Sequence, residues 1–360
     1  MKDPIMSRFK QLRSQWRSLI LPVFILSYLA FLAIYGLAWA VIHHYLWQLD
    51  IMSNFTAWYF LPAPILMLVA LIFKRRRWAA LLVIPIVVFA IKYGPRFMPR
   101  ETAASAVSDA PTLTVMTMNV LKRNTDWASI KAQIQAVNPD IITLQEVSDS
   151  LLSDLWPSLA EMYPYNLHAP SPMEDANSGI LSRYPFTEQA SFYLPDEYQL
   201  AHVRVVVKLQ DKEVVIYGLH LAAPTFMRTT EPSRIIGKIF PYVYTGYYRL
   251  WQMGAFYPKL AAETLPVLVM GDFNTADSSA DYGTFKTTTG LQDTYSEVGF
   301  GMGFTFPTNV DIGDTRVPFV PMMRLDYVWH SSQWQPLSAW LGSLTGSDHL
   351  PLIARLKLAD

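Results

Sequence analysis

Along this chain, apolar runs repeatedly end on a residue that can do chemistry. Asn119 follows the run 113–118, Glu146 follows 141–144, and His220 follows 214–219. Asp272 and Asn274 follow 267–270 across Gly271, Asp326 lies within 325–329, and Asp348-His349 precede 350–358. The set combines carboxylates, two amides and two histidines. Oxygen ligands of this kind suit a hard divalent cation, and imidazoles and amides beside them suit work on a phosphate. Taken singly, each has an ordinary reading: a carboxylate after a strand is usually a solvated turn residue, and Gly-Asp-Phe-Asn can be an Asx turn. If the runs are strands, however, their ends can converge on one rim.

The elements that would position these residues are short. Residues 113–118 alternate as a half-buried strand, 127–137 have helical spacing and stop at Asn138-Pro139, and 141–144 read as a buried strand. Residues 203–209 and 214–219 flank Gln210-Asp211-Lys212 as a hairpin. Many strands with interspersed helices predict an α/β (mixed α+β) domain: two mixed sheets packed face to face and covered by helices.

The first hundred residues are different. They hold 12 Lys/Arg and 2 Asp/Glu, whereas residues 101–360 hold 17 basic and 27 acidic residues, a net charge of −10. So acidic a domain is poorly suited to non-specific binding of a nucleic-acid backbone. The chain has no cysteine, which excludes disulfides and thiolate metal sites. Three apolar runs, about 19–41, 57–73 and 78–94, are bordered by Trp39, Trp47, Trp58, Tyr59 and Trp78 and predict three transmembrane helices within an anchor of residues 1–98. Lys2, Arg8, Lys10, Arg13, Arg17 and the loop Lys74-Arg75-Arg76-Arg77 are expected on the cytoplasmic side, which puts the catalytic domain outside the cytoplasm. Should the short third run, flanked by Lys92, Arg96 and Arg100, only lie in the interface, the domain is cytoplasmic. Residues 99–111, small and polar, read as a flexible linker.

Seven motifs carry a family resemblance: Met118-Asn119, Leu144-Gln145-Glu146-Val147, Gly179 through Pro185, Leu219-His220-Leu221, Gly271-Asp272-Phe273-Asn274, Leu325-Asp326-Tyr327-Val328 and Ser347-Asp348-His349-Leu350-Pro351. In this order they resemble the endonuclease/exonuclease/phosphatase superfamily, the deoxyribonuclease I-like proteins, over about residues 112–358. The resemblance implies a four-layer α/β sandwich for the domain 112–360 and phosphoester hydrolysis with Mg²⁺, or Mn²⁺ in its place. It implies Glu146 as the principal metal ligand, with Asn119 beside it and Asp348 completing the metal end. His349, oriented by Asp326, would act at the reacting phosphate. Asp272 would align or deprotonate the attacking water, and Asn274 and His220 would donate hydrogen bonds to phosphoryl oxygens. Arg183 and Arg204 are placed outside the site as ion-pairing residues, and His168, His202 and His330 as structural.

One segment has no counterpart in these motifs. Residues 222–264 are rich in aromatics and carry Arg228, Arg234, Lys238, Arg249 and Lys259. They read either as a helix covering the sandwich or, in part, as a surface touching the bilayer. The second reading fails if Tyr242, Tyr244 and Trp251 are buried in the core. The expected partners are therefore a lipid bilayer and a phosphoester substrate, phospholipid or nucleic acid, with no obligate protein partner. A membrane-bound nuclease and a non-catalytic binding module are the alternatives to a hydrolase of lipid head groups.

Overall fold

The computed structural model describes residues 4–43, 46–98, 110–172, 177–195, 199–228, 242–313 and 315–359. The chain divides into two compact units, Met1–Pro95 and Arg96–Asp360. Most of the expected linker (99–109) and part of the aromatic segment (229–241) lie outside the described residues.

In the first unit one long helix, Pro4–Ile42, contains the first apolar run. Its portion Leu19–Ile42 (24 residues) and the later stretch Arg76–Phe97 (22 residues) are each long and apolar enough to cross a bilayer. By length and composition the third run suffices for a crossing, and the second is the one that is not a single straight helix. The polar stretch before it forms the helix Trp47–Ser53, and Thr56–Ile72 follows at a bend of 75°. That bent pair is either one broken span or a re-entrant loop, so the described helices supply two crossings or three. Ile25, Ala70, Ala79 and Leu82 pack together, while Phe24, Ile34, Leu37, Leu68, Ile84 and Ile91 stay exposed, a distribution that suits lipid tails.

The second unit holds sixteen strands among its described residues: β1 (Thr112–Asn119), β2 (Ile141–Val147), β3 (Tyr165–Ala169), β4 (Asn177–Ser182), β5 (Phe186–Tyr193), β6 (Ala201–Leu209), β7 (Lys212–His220), β8 (Thr225–Arg228), β9 (Tyr242–Thr245), β10 (Val267–Asp272), β11 (Gln292–Asp293), β12 (Asn309–Ile312), β13 (Thr315–Pro318), β14 (Asp326–His330), β15 (Trp334–Leu341) and β16 (Leu352–Leu358). Twelve of them build two six-stranded mixed sheets, ordered β15-β16-β1-β2-β4-β3 and β11-β14-β10-β7-β6-β5. The alternation of each strand decides the layering. Leu113, Val115, Leu268 and Met270 point into the core between the sheets, with Val203, Val205, Ile216 and Leu352. Met116 and Met118 point outward onto Ile130 and Ile134 of the helix Trp127–Val137. Val267 and Val269 point outward onto Met253, Phe256 and Phe285 of the helices Tyr247–Ala261 and Ala280–Thr289. The result is helix, sheet, sheet, helix: the four-layer α/β sandwich expected from the motifs.

The aromatic segment divides between its two readings. In the helix Tyr247–Ala261, Tyr248, Met253, Phe256 and Leu260 are buried against the sandwich, but Trp251 is 53% exposed and Tyr244 half-buried. The side chain of Tyr242 is outside the described residues. Arg249, one of the segment's basic residues, is buried at 3% exposure. It bonds Asp281 through Nε at 3.0 Å and the backbone carbonyl of Asn274 at 2.6 Å.

Candidate active site

The pairing registers bring the chemical residues together. In the second sheet Asp272 ends β10 with His220 as its neighbour on parallel β7 and Asp326 as its neighbour on antiparallel β14. Gly271 makes this approach possible. Its φ is +144°, and a Cβ there would lie 1.8 Å from the Leu219 carbonyl oxygen, so no other residue fits without moving the strand. In the first sheet Asn119 ends β1, Glu146 lies near the end of β2, and His349 precedes β16. Glu146 is the extra residue of a β-bulge: Gln145 pairs with Ser178 and Val147 with Asn177, and Glu146 between them has φ +55°. The bulge turns its carboxylate out of the ladder and toward the rim. Leu121 and Asn274 also have positive φ, so strained backbone gathers here.

Asp272 is the hub. Its Oδ2 accepts from Asn119 Nδ2 at 3.1 Å and lies 3.9 Å from His220 Nε2 and 3.7 Å from His349 Nε2. Its Oδ1 accepts the Asn274 N–H at 2.8 Å. Burial pushes the Asp272 carboxyl up, and the nearby Asp326 charge adds to this while both histidines oppose it. His349 Nδ1 donates to Asp326 Oδ2 at 2.9 Å. Burial works against a charge on His349, but Asp326 and Asp272 outweigh it and raise the imidazole well above its ordinary value. His349 is therefore an imidazolium aimed through Nε2 at the centre of the site.

The metal end has a different character. Glu146 Oε1 accepts from Asn119 Nδ2 at 3.0 Å and Oε2 accepts the Lys122 N–H at 3.2 Å. Despite the cost of burial, His220 and these donors hold its carboxyl below the usual range. Burial pushes Asp348 up, partly countered by His349, and the negative Glu146 pushes it further. Two carboxylates that repel across a rim, one of them fixed in the ionised form, fit a hard divalent cation. Asp272, Asp326 and His349 also bring one ligand atom each within 4.8 Å of one another. Because Asp326 Oδ2 is already bonded to His349 Nδ1, that trio is better suited to holding a proton than an ion.

The two amides make these contacts. Asn119 turns its nitrogen to the carboxylates, while its oxygen accepts the Leu121 N–H at 3.0 Å. It steadies Glu146 and Asp272. The Asn274 nitrogen donates to the Leu221 carbonyl at 2.9 Å and faces Asp272 Oδ2 at 3.4 Å, so it braces the loop instead of facing outward to a phosphoryl oxygen. Arg204 is held by Glu263 and Glu188, and Arg183 by Asn138 and Asp140, so both are structural.

Other residues of the site went unassigned in the sequence. Ser347 donates to the Asn119 carbonyl at 2.7 Å and accepts the His349 N–H at 3.1 Å, tying the end of β1 to the loop that enters β16 within the first sheet. Its place in Ser-Asp-His was the available signal. Phe306 lays its ring 4.8 Å from that of His349. His202 is fully buried and its Nδ1 accepts the His220 backbone N–H at 3.2 Å. A backbone N–H can only donate, so His202 is neutral with its proton on Nε2. Burial, with His220 nearby, pulls its pKa down to about 3.

This gives a stability prediction. The unfolded chain takes up the proton near the ordinary value of 6.5, whereas the folded chain resists it until about 3. Stability from His202 is complete above 6.5 and is lost as pH falls below it, by up to about 1.4 kcal/mol per pH unit. His202→Asn keeps an acceptor near the position of Nδ1. Thermal midpoints of the two chains in detergent, measured from pH 7 to pH 4.5, should converge as pH falls; a constant gap would show that His202 does not titrate in this way.

Strands of two packed sheets that deliver carboxylates, imidazoles and amides to one rim define the class of metal-assisted phosphoester hydrolase folds. Residues 116–349 match the model of the endonuclease/exonuclease/phosphatase family, and the chain belongs to it. Members of that family are typically phosphoester hydrolases that work with divalent metals. No protein of curated function matches the chain by sequence. Among solved structures the fold is similar to the human Nocturnin catalytic domain with bound sulfate anion, at 19% identity, TM-score 0.50, 70% of this chain and 97% of that one. It is similar to Caenorhabditis elegans TDP2 at 17% identity, TM-score 0.51, 71% of this chain and 79% of that one. It is also similar to a conserved protein of unknown function from Enterococcus faecalis V583, at 18% identity, TM-score 0.52, 68% of this chain and all of that one. At such identities the likeness concerns the fold.

Proposed function

We propose that this chain is a membrane-anchored, divalent-metal-dependent phosphoester hydrolase whose catalytic domain faces the extracytoplasmic side and acts on a phosphoester at the bilayer, a phospholipid head group. The observation that carries the chemistry is the Asp272 hub, with the Asp326–His349 pair on one side and Glu146 on the other. Glu146 and Asp348 would hold Mg²⁺, with Asn119 and its hydrogen bonds fixing Glu146 in place. The ion, when bound, supplies charge neutralisation and Lewis acidity at the phosphoryl oxygens. Asp272, its carboxyl raised by burial, is suited to orient an attacking water and take up its proton. The imidazolium of His349 offers a positive N–H to the negative charge that grows at phosphorus, and His220 Nε2, 3.9 Å from Asp272 Oδ2, faces the same space.

The placement of cations supports the topology. If the bent pair Trp47–Ser53 and Thr56–Ile72 were re-entrant, Lys74 to Arg77 would emerge on the side opposite the basic N-terminal tail. Only three crossings keep both basic clusters in the cytoplasm, and three crossings carry the domain outward. The net charge of −10 on residues 101–360 favours lipid over nucleic acid.

The test is Mg²⁺-dependent turnover by the full chain in nanodiscs, offered phospholipids, plasmid DNA and bis-p-nitrophenyl phosphate. Lipid cleavage is expected to exceed DNA cleavage. Glu146→Gln should raise the Mg²⁺ concentration needed for half-maximal rate by about 100-fold or more, since it removes an ionised ligand and leaves the fold. Equal metal dependence in both chains would remove Glu146 from the metal site, and turnover of DNA alone would establish a nuclease.

A further inference from the structure

The helix Tyr247–Ala261 is apolar on both sides. Its inner face, Tyr248, Met253, Phe256 and Leu260, covers the second sheet. Its outer positions 247, 250, 251, 254 and 258 recur at helical spacing and are Tyr, Leu, Trp, Gly and Pro. A helix on the surface of a water-soluble domain is polar there. Here Tyr247, Leu250 and Trp251 are 52%, 47% and 53% exposed, with the Tyr247 and Trp251 rings 5.6 Å apart. The first turn of this helix is also fixed to the candidate active site. Arg249 reaches inward to the Asn274 carbonyl at 2.6 Å, and Gln252 accepts the Ala222 N–H, two residues past His220, at 2.7 Å.

We infer that the Tyr247–Leu250–Trp251 strip is a bilayer-docking surface that rests the rim of the site on the lipid interface. This deepens the membrane-hydrolase reading and rests on its claim that the N-terminal helices cross the bilayer. The occupant follows from covalent continuity. The catalytic unit begins at Arg96, where the apolar stretch Arg76–Phe97 ends, so a bilayer surface is always within its reach. Tyr and Trp are the side chains that settle at the head-group level, and leucine beside them adds apolar depth. The helix has no carboxylate of its own, and its first cation, Arg249, is buried against Asp281. The strip therefore docks by aromatic insertion and does not depend on anionic lipid. A site held this way meets the phosphoester of a lipid that never leaves its membrane.

The absence of cysteine makes a direct test available. A nitroxide on Leu250→Cys, in the full chain, is compared with one on Asp211→Cys at the exposed β6–β7 turn. Both are read by collision with oxygen and with a water-soluble nickel chelate, in nanodiscs of phosphatidylcholine and of phosphatidylcholine with phosphatidylglycerol. The Leu250 label should be oxygen-accessible and nickel-shielded in both lipids, and the Asp211 label nickel-accessible. Nickel access at Leu250 in nanodiscs overturns the proposal. So does shielding from both reagents in detergent and in nanodiscs, which means that protein, such as residues 229–241 or a second copy, covers the strip. Because this readout needs no turnover, it separates failure of docking from failure of the hydrolase reading. The Leu250→Ser/Trp251→Ser chain should then lose about tenfold in turnover of vesicle lipid while bis-p-nitrophenyl phosphate turnover is unchanged. An equal loss on both substrates would show a structural role for the strip.

Discussion

His349→Ala lowers metal-dependent phosphoester hydrolysis by about three to four orders of magnitude while the fold survives. The side chain is almost wholly buried, yet its Nε2 points at Asp272 Oδ2 from 3.7 Å, and its Nδ1 is fixed to Asp326 at 2.9 Å. Burial alone would strip its proton; the two aspartates keep it. The variant removes an oriented cation, and His220, 3.9 Å from Asp272 Oδ2, has no described carboxylate bonded to its ring as Asp326 is to that of His349. Asp326→Asn separates charge from mere presence. Without the carboxylate, burial prevails and the imidazole's pKa falls. The rate should drop by about a hundredfold at neutral pH, and its alkaline limb should move to lower pH. Rate against pH for the three chains decides the point. An unmoved alkaline limb in Asp326→Asn would mean that Asp326 only orients His349 and does not hold its charge.

The chemical residues were legible because each lies at or beside one end of a strand that the sequence marks as an apolar run. Leu113 and Val115 face inward, Met116 and Met118 outward, and Asn119 falls where the strand stops. What the strand ends do to one another was less legible. Nothing local shows that Glu146 adopts φ +55° in a bulge, because the bulge exists only against Ser178 and Asn177 thirty residues on. The roles expected of the two asparagines came from the motif resemblance, but their hydrogen bonds depend on Leu121, Leu221 and Asp272 placed by tertiary packing. His202 was called structural, and its contact with the His220 backbone requires the β6–β7 register. Arg249 is turned onto Asp281 by its helical position while its neighbours Leu250 and Trp251 face outward, and that partner lies 32 residues on, beyond any local signal.

Arg324 was the least legible of all and carries the second large effect: Arg324→Leu destabilises the catalytic domain by about 3–5 kcal/mol. The guanidinium is fully buried two residues before Asp326. It bonds both oxygens of Asp293, at 2.8 and 2.6 Å, and reaches Asp277 at 3.3 Å, which Arg96 also holds at 2.5 Å. The rings of Tyr327 and Tyr295 lie 4.8 and 5.4 Å from it, and Tyr282 donates to Asp293 at 2.8 Å. Removing the arginine leaves Asp293 buried without its principal counter-charge, and its carboxyl, now held below the ordinary range against the cost of burial, should take up a proton. Asp293 has a depressed folded-state pKa, so its contribution is present above the unfolded carboxylate range and is lost as pH falls through the folded value. The parent chain should therefore lose stability on acidification through this pair, and Arg324→Leu should lack that loss. Arg324→Leu/Asp293→Asn should be less damaged than the two single changes together, by about 2 kcal/mol. Additive losses would show that the two groups stabilise the fold independently. Because the peptide from Arg324 leads straight into Asp326, Arg324→Leu should also lower kcat at temperatures where the domain remains folded. The orienting carboxylate of His349 then depends on an ion cluster that does not touch the substrate.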